Sequence, residues 1–178
     1  MPLLAIFGIC VGLSFVVWGT IAVQYLWPTL RTLPRGRALR LLLLIHGFRF
    51  IGLAFVVPGV VSPALPAEFA RPAAYGDLIA AVLALVALAG LERKFGIGLV
   101  WVFSFWGFAD LLYAFYQGLI GVGIKPGQLG AAFFIPTVAV PLLFVTHVMI
   151  FRLLIRGDGE AALEVPNPRA ENTSPTKR

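Results

Sequence analysis

The sequence predicts an all-α integral membrane protein, a five-span helical bundle with its N-terminus outside and its C-terminus in the cytoplasm. Three observations predict it. The 178-residue chain is 60% hydrophobic and 12% charged, with a mean hydropathy of +0.93, whereas about 25% of residues are charged in a soluble domain. Its apolar residues gather in five stretches, each near the roughly 20 helical residues needed to cross a hydrocarbon core about 30 Å thick. Its cations then alternate in sidedness. Arg31, Arg35, Arg37, Arg40, Arg93, Lys94, Arg152, Arg156, Arg169, Lys177 and Arg178 fall on one side of the resulting topology, and only Arg71 and Lys125 on the other. Cytoplasmic loops accumulate Lys and Arg, so the richer side is the inside.

The spans run at about 3–27, 39–61, 74–91, 95–121 and 130–155. Together they make a transmembrane domain of residues 1–156, followed by a tail, 157–178, of disordered cytoplasmic composition. The first stretch opens Met-Pro-Leu-Leu without a basic n-region and reads as a retained span. The loop from Pro28 to Arg40 holds four arginines and is the strongest inside marker. Pro63, Pro66 and Pro72 make the segment from Ser62 to Ala73 an irregular outer cap. The third span, almost wholly Ala, Leu and Val, has Gly76 or Asp77 placed to cap its N-terminus. In the fifth, Pro136 and Pro141 each remove a backbone donor and predict a kink. Asn172-Thr173-Ser174 matches a glycosylation acceptor but lies on the cytoplasmic side, where that modification does not occur.

Composition excludes several functions. The net charge of +6 sits in short loops beside spans, where it sets orientation, so nucleic acid is not an expected partner. Cys10 is the only cysteine, which rules out an intramolecular disulfide, a thiolate metal cluster and a Cys-x-x-Cys redox pair. No Gly-rich phosphate loop and no Ser or Cys paired with a base is present, and the chain does not read as an enzyme. The expected partners are the bilayer, a hydrophobic or amphipathic small molecule, and a second copy or another membrane protein. Gly8 and Gly12 form a small-xxx-small pair suited to the last of these. The expected location is a bacterial inner (plasma) membrane.

Four ionisable residues lie inside the spans: His46, Arg49, Asp110 and His147. Such groups insert at a cost of about 2.5–3.5 kcal/mol for Arg or Asp, and need a partner or a task. His46 and His147 each lie about 7–9 Å below the inner face at 1.5 Å per residue, so they are candidate metal ligands at one depth, able to hold haem b as axial imidazoles from facing helices. Only Gly47 makes room beside His46, and two nitrogens leave any tetrahedral metal site half empty. Arg49, at i+3 from His46, shares its face. It pairs with Asp110 only if the fourth helix starts late, near Gly98; measured from Lys94, their depths differ by about 11 Å. Trp106, Asp110, Tyr113 and Gln117 recur at helical spacing and form a polar-aromatic stripe expected to face protein or water.

Three functions follow. The first is a non-enzymatic ligand-binding, assembly or accessory protein whose polar core is Arg49, Asp110 and the stripe. The second is a bis-histidine b-haem electron carrier using His46 and His147. The third is a proton-coupled transporter using Asp110 and His147.

Overall fold

The computed structural model describes residues 1–156; the tail of 157–178 and its Asn172-Thr173-Ser174 motif lie outside the described residues. The described chain is helical, with no strand beyond an isolated bridge between Pro58 and Val61. Five helices are long and apolar enough to cross a membrane: α1 (Leu3–Leu30), α2 (Arg35–Val56), α3 (Ala67–Gly90), α4 (Gly96–Gly121) and α5 (Ile135–Ile155). In space α2, α3, α4 and α5 form a ring in which each packs on its neighbours, and α1 lies outside it against α5.

Four of these helices depart from α geometry over part of their length, α4 in a closing π-turn over Gln117–Gly121. Pro28 cannot donate to the carbonyl four residues earlier, and α1 widens into a π-turn over Ala22–Leu26 just before it. Pro136 and Pro141 act likewise on α5, whose first turn, Ile135–Ala139, is π-helical before Val140–Ile155 continues as α-helix. Ahead of it a 3₁₀ stretch, Pro126–Phe133, breaks at Gly130, where φ is 52°. A side chain there would collide with the Val60 carbonyl, which instead accepts from the Ala131 N–H at 2.9 Å. α2 is α-helical only from Arg35 to Gly47, then 3₁₀ over Phe48–Val56. Nine residues is long for a 3₁₀ run, and its three-residue repeat stacks Arg49, Gly52 and Phe55 on one buried face.

The third helix differs from its sequence expectation. It begins at Ala67, one turn and more before Pro72, which sits inside it. Pro66, extended at φ −61° and ψ 131°, is the residue before the first turn, and Glu68 lies within that turn, where a negative charge favours the helix N-terminus. Phe69, Ala70, Ala73 and Ala74 are buried around Pro72, and this packing holds the segment helical although one backbone donor is missing. Asp77 is therefore no cap. It lies ten residues inside a 24-residue helix.

Burial divides the bundle into layers. One apolar cluster joins Leu39, Leu42, Leu43, Ala84, Ala87, Val100, Phe103 and Ile150 towards the end where α2 begins. A second joins Phe55, Phe69, Ala73, Ala74, Leu129 and Ile135 towards the opposite end. Small residues on α3 let α2 and α4 approach it closely, the usual packing device of apolar helices in membranes. The buried polar side chains His46, Arg49, Asp77, Ser104, Thr146 and His147 lie between these clusters along their helices. At the first end the cations find local partners: Arg40 pairs with Glu92 at 2.7 Å, the Arg35 guanidinium donates to the Arg156 carbonyl at 3.3 Å, and the Arg152 guanidinium lies 4.2 Å from the Trp27 ring.

Candidate functional site

Arg49 organises the polar layer. Its Nε donates to Asp77 Oδ1 at 2.7 Å, its Nη2 to Asp110 Oδ2 at 2.6 Å and its Nη1 to the Gly107 carbonyl at 2.8 Å. The guanidinium has no exposed surface, and the two carboxylates are 11% and 12% exposed. One cation from α2 thus joins an anion on α3 to an anion on α4. Charge-assisted bonds of this length are the strong class of hydrogen bond, and in a low-dielectric layer each partner is costly without the others.

Three glycines make the space. A Cβ added at Gly52 would overlap the Asp77 carboxylate, and one at Gly76 would overlap that of Asp110. At Gly107 it would stand 3.0 Å from both Arg49 Nη1 and His147 Nε2. Each ionised group therefore occupies the volume that a side chain on a facing helix would otherwise fill. Gly47, the small residue beside His46 in sequence, faces Leu85 instead.

The histidines touch. Their ring centroids are 4.2 Å apart with planes at 78°, and Phe103 lies against both, at 5.0 Å from His46 and 5.3 Å from His147. Axial imidazoles need a metal bond of about 2 Å on either side of the iron and cannot be in edge contact. The haem b arrangement between His46 and His147 does not fit this packing, because Phe103 and the imidazoles fill the volume a porphyrin would need. No group of three or more His, Cys, Asp or Glu side chains able to hold a metal ion occurs among the described residues.

Hydrogen bonds hold both rings instead. The Thr146 hydroxyl oxygen and His46 Nε2 are hydrogen-bonded at 3.0 Å, and the same hydroxyl lies 2.8 Å from the Leu142 carbonyl. His147 Nδ1 donates to the Leu143 carbonyl at 3.0 Å. His46 Nδ1, His147 Nε2 and Ser104 Oγ have no hydrogen-bond partner among the described residues.

The stripe on α4 divides. Asp110 turns to Arg49, while Trp106 and Tyr113 are 47% and 48% exposed on the bundle surface and Gln117 bonds to the Tyr113 hydroxyl at 2.8 Å. Of the stripe, the Asp110 carboxylate alone reaches Arg49, and the two aromatic rings lie on the bundle surface. With Pro72, Tyr75, Gly76 and Ile79 of α3 they line a groove of about 400 Å³ that reaches Asp110. A second, smaller apolar pocket lies between the far ends of α1, α3, α4 and α5, lined by Phe7, Phe69, Leu111 and Ile135, with Asp77 and Asp110 as its charged lining.

The family model described as Domain of unknown function (DUF8737) matches residues 6–155. The chain belongs to that family. No curated protein and no solved structure matches the chain. The matched region carries the whole of the polar layer, from His46 to His147. Asp77 is the member of that layer the sequence hid. It is the one carboxylate of the third apolar stretch away from its ends, and it becomes visible once the helix is allowed to run through Pro72.

Proposed function

We propose that the chain is a non-enzymatic, multi-pass membrane protein that binds a small amphipathic molecule at the Arg49, Asp77 and Asp110 cluster. The observation that supports it most is the pairing of ionised groups with apolar concavities: Asp110 lines the α3/α4 groove, and both aspartates line the neighbouring pocket. Ligand sites are typically apolar clefts with a few placed polar groups, and ionisable groups at membrane depth mark such sites. A ligand's apolar part would lie against Pro72, Ile79 and Ala109, with its polar group at Asp110.

Native mass spectrometry of the protein released from membranes is the test. Wild-type protein is expected to carry a small adduct, reduced at least tenfold in Ala109→Trp, because Ala109 lines the groove from an exposed position. Equal adduct in both, or none in either, would remove the reading.

The orientation is N-terminus outside and C-terminus cytoplasmic, in a bacterial inner membrane. It is supported by the gathering of Arg35, Arg40, Arg152 and Arg156 at one end of the bundle. In a Cys10→Ser background, a cysteine at Glu68 is expected to react with an impermeant maleimide in intact cells, and one at Arg37 only after permeabilisation. The opposite pattern would invert the topology.

A further inference from the structure

The charges of the cluster do not balance. Arg49 contributes one positive charge, and Asp77 and Asp110 one negative charge each, all three side chains being nearly or fully buried. The other titratable groups of the layer are His46 and His147; each has one ring nitrogen bonded, to Thr146 or Leu143, and a buried second nitrogen with no acceptor among the described residues, so a proton there would go unsatisfied and both imidazoles are neutral. With both carboxylates ionised the excess is one negative charge, which a low-dielectric layer answers with a proton on one carboxylate or with a cation beside it.

The structure shows where a cation can reach it. Arg49 takes Asp110 Oδ2, while Oδ1 accepts no hydrogen bond from the described residues and lies over Gly76, at the position a side chain there would fill. Gly76 and Asp110 both line the α3/α4 groove, and the other walls include Tyr75, Trp106 and Tyr113. Aromatic faces beside a carboxylate are the surroundings that favour an ammonium group, through ring quadrupoles and charge together. The groove's volume, about 400 Å³, is in the range of small-molecule sites.

We propose that the α3/α4 groove selects an amphipathic ammonium, its cationic head at Asp110 Oδ1 and among the rings of Tyr75, Trp106 and Tyr113. This rests on the ligand-binding reading above and adds the charge of the ligand. An ammonium pairs directly with an ionised Asp110, whereas a neutral amphiphile leaves that charge to a proton and an anion adds to it.

The full chain in nanodiscs of zwitterionic lipid would be titrated with benzyltrimethylammonium and, in parallel, with its uncharged isostere neopentylbenzene, and binding measured against empty discs by equilibrium dialysis. Saturable binding of the ammonium is expected, at least tenfold tighter than any saturable binding of the isostere. It is expected to fall at least tenfold in Asp110→Asn and several-fold in Trp106→Leu, whose side chain is exposed and whose replacement leaves the cluster intact. If Asp110→Asn does not fold, Trp106→Leu and Ala109→Trp decide. Equal saturable binding of both probes would overturn the charge selection and leave the ligand-binding reading standing. Binding of the ammonium that survives Trp106→Leu and Ala109→Trp would overturn the groove as its site. The absence of saturable binding by either probe would overturn both.

Discussion

Arg49→Met is expected to destabilise the bundle by about 3–5 kcal/mol, the cost of leaving buried carboxylates without their counter-ion. Among the described residues the guanidinium is the only group that bonds to both Asp77 and Asp110, with no exposed surface and bonds of 2.7 and 2.6 Å. Without it two carboxylates face each other in an apolar layer, and only protonation or outward rotation relieves them. The same principle predicts a rescue. Arg49→Met combined with Asp77→Leu and Asp110→Leu removes every charge at once, and replacing a buried ion network by apolar groups of similar volume is neutral or stabilising in many proteins. Titration of the folded fraction with SDS in mixed micelles would check both variants. A stable single variant, or a triple variant no better than the single, would show that the cluster does not hold the helices together. The triple variant is also expected to have lost the ammonium binding, which separates the structural task of the charges from their ligand-binding one.

The second large effect is expected from Gly76→Ala. Alanine normally stabilises a helix interior relative to glycine by up to about 1 kcal/mol. Here the added methyl overlaps the Asp110 carboxylate, so either α3 withdraws from α4 or the contact with Arg49 is lost. Overpacking alone costs about 1–3 kcal/mol, and weakening a charge-assisted bond adds about 1.5–3 kcal/mol. A loss of about 2–4 kcal/mol is therefore expected, with Gly52→Ala behaving alike through Asp77. Gly98→Ala on α4 is the control, since a Cβ there meets nothing within 4 Å. It is expected to be neutral or slightly stabilising in the same SDS titration. Equal behaviour of Gly76→Ala and Gly98→Ala would contradict the close packing of the cluster.

Much of the fold is legible because apolar length is additive along the chain. Five stretches of sufficient hydropathy become five helices whatever their neighbours do, and their ends move by a few residues at most places. The third helix is the exception, since Pro72 and two nearby prolines read as a loop, while burial of Phe69, Ala70, Ala73 and Ala74 carries the helix through. That single boundary decided how Asp77 was read. Placed at the end of a helix it is a cap; placed ten residues inside, it is a counter-ion. Arg49 and Asp110 stand out in the sequence as ionisable residues without company, but their depths, counted from the nearest loop cations, differ by about 11 Å. In the structure α2 begins at Arg35 and α4 at Gly96, so Arg49 and Asp110 each lie fourteen residues inside their helices and their depths match. The histidine pair shows the opposite limit. Equal depth can be counted from the chain, yet whether two imidazoles touch or stand apart depends on the helix spacing and on Phe103.

The sequence by itself determined the helical class, the number of long apolar helices, the asymmetry of the cations and the presence of ionisable residues where few belong. These are properties of composition along one dimension, set by transfer from water and by the 1.5 Å rise of a helix. Only the tertiary structure decided which residues meet: that Asp77 completes the cluster, that Gly52, Gly76 and Gly107 hold open its space, and that Trp106 and Tyr113 turn outward to a groove while Asp110 turns in. Contacts across helices depend on the rotation and separation of each pair, and those follow from the joint packing of small side chains on α3, α2 and α4, which no single helix specifies.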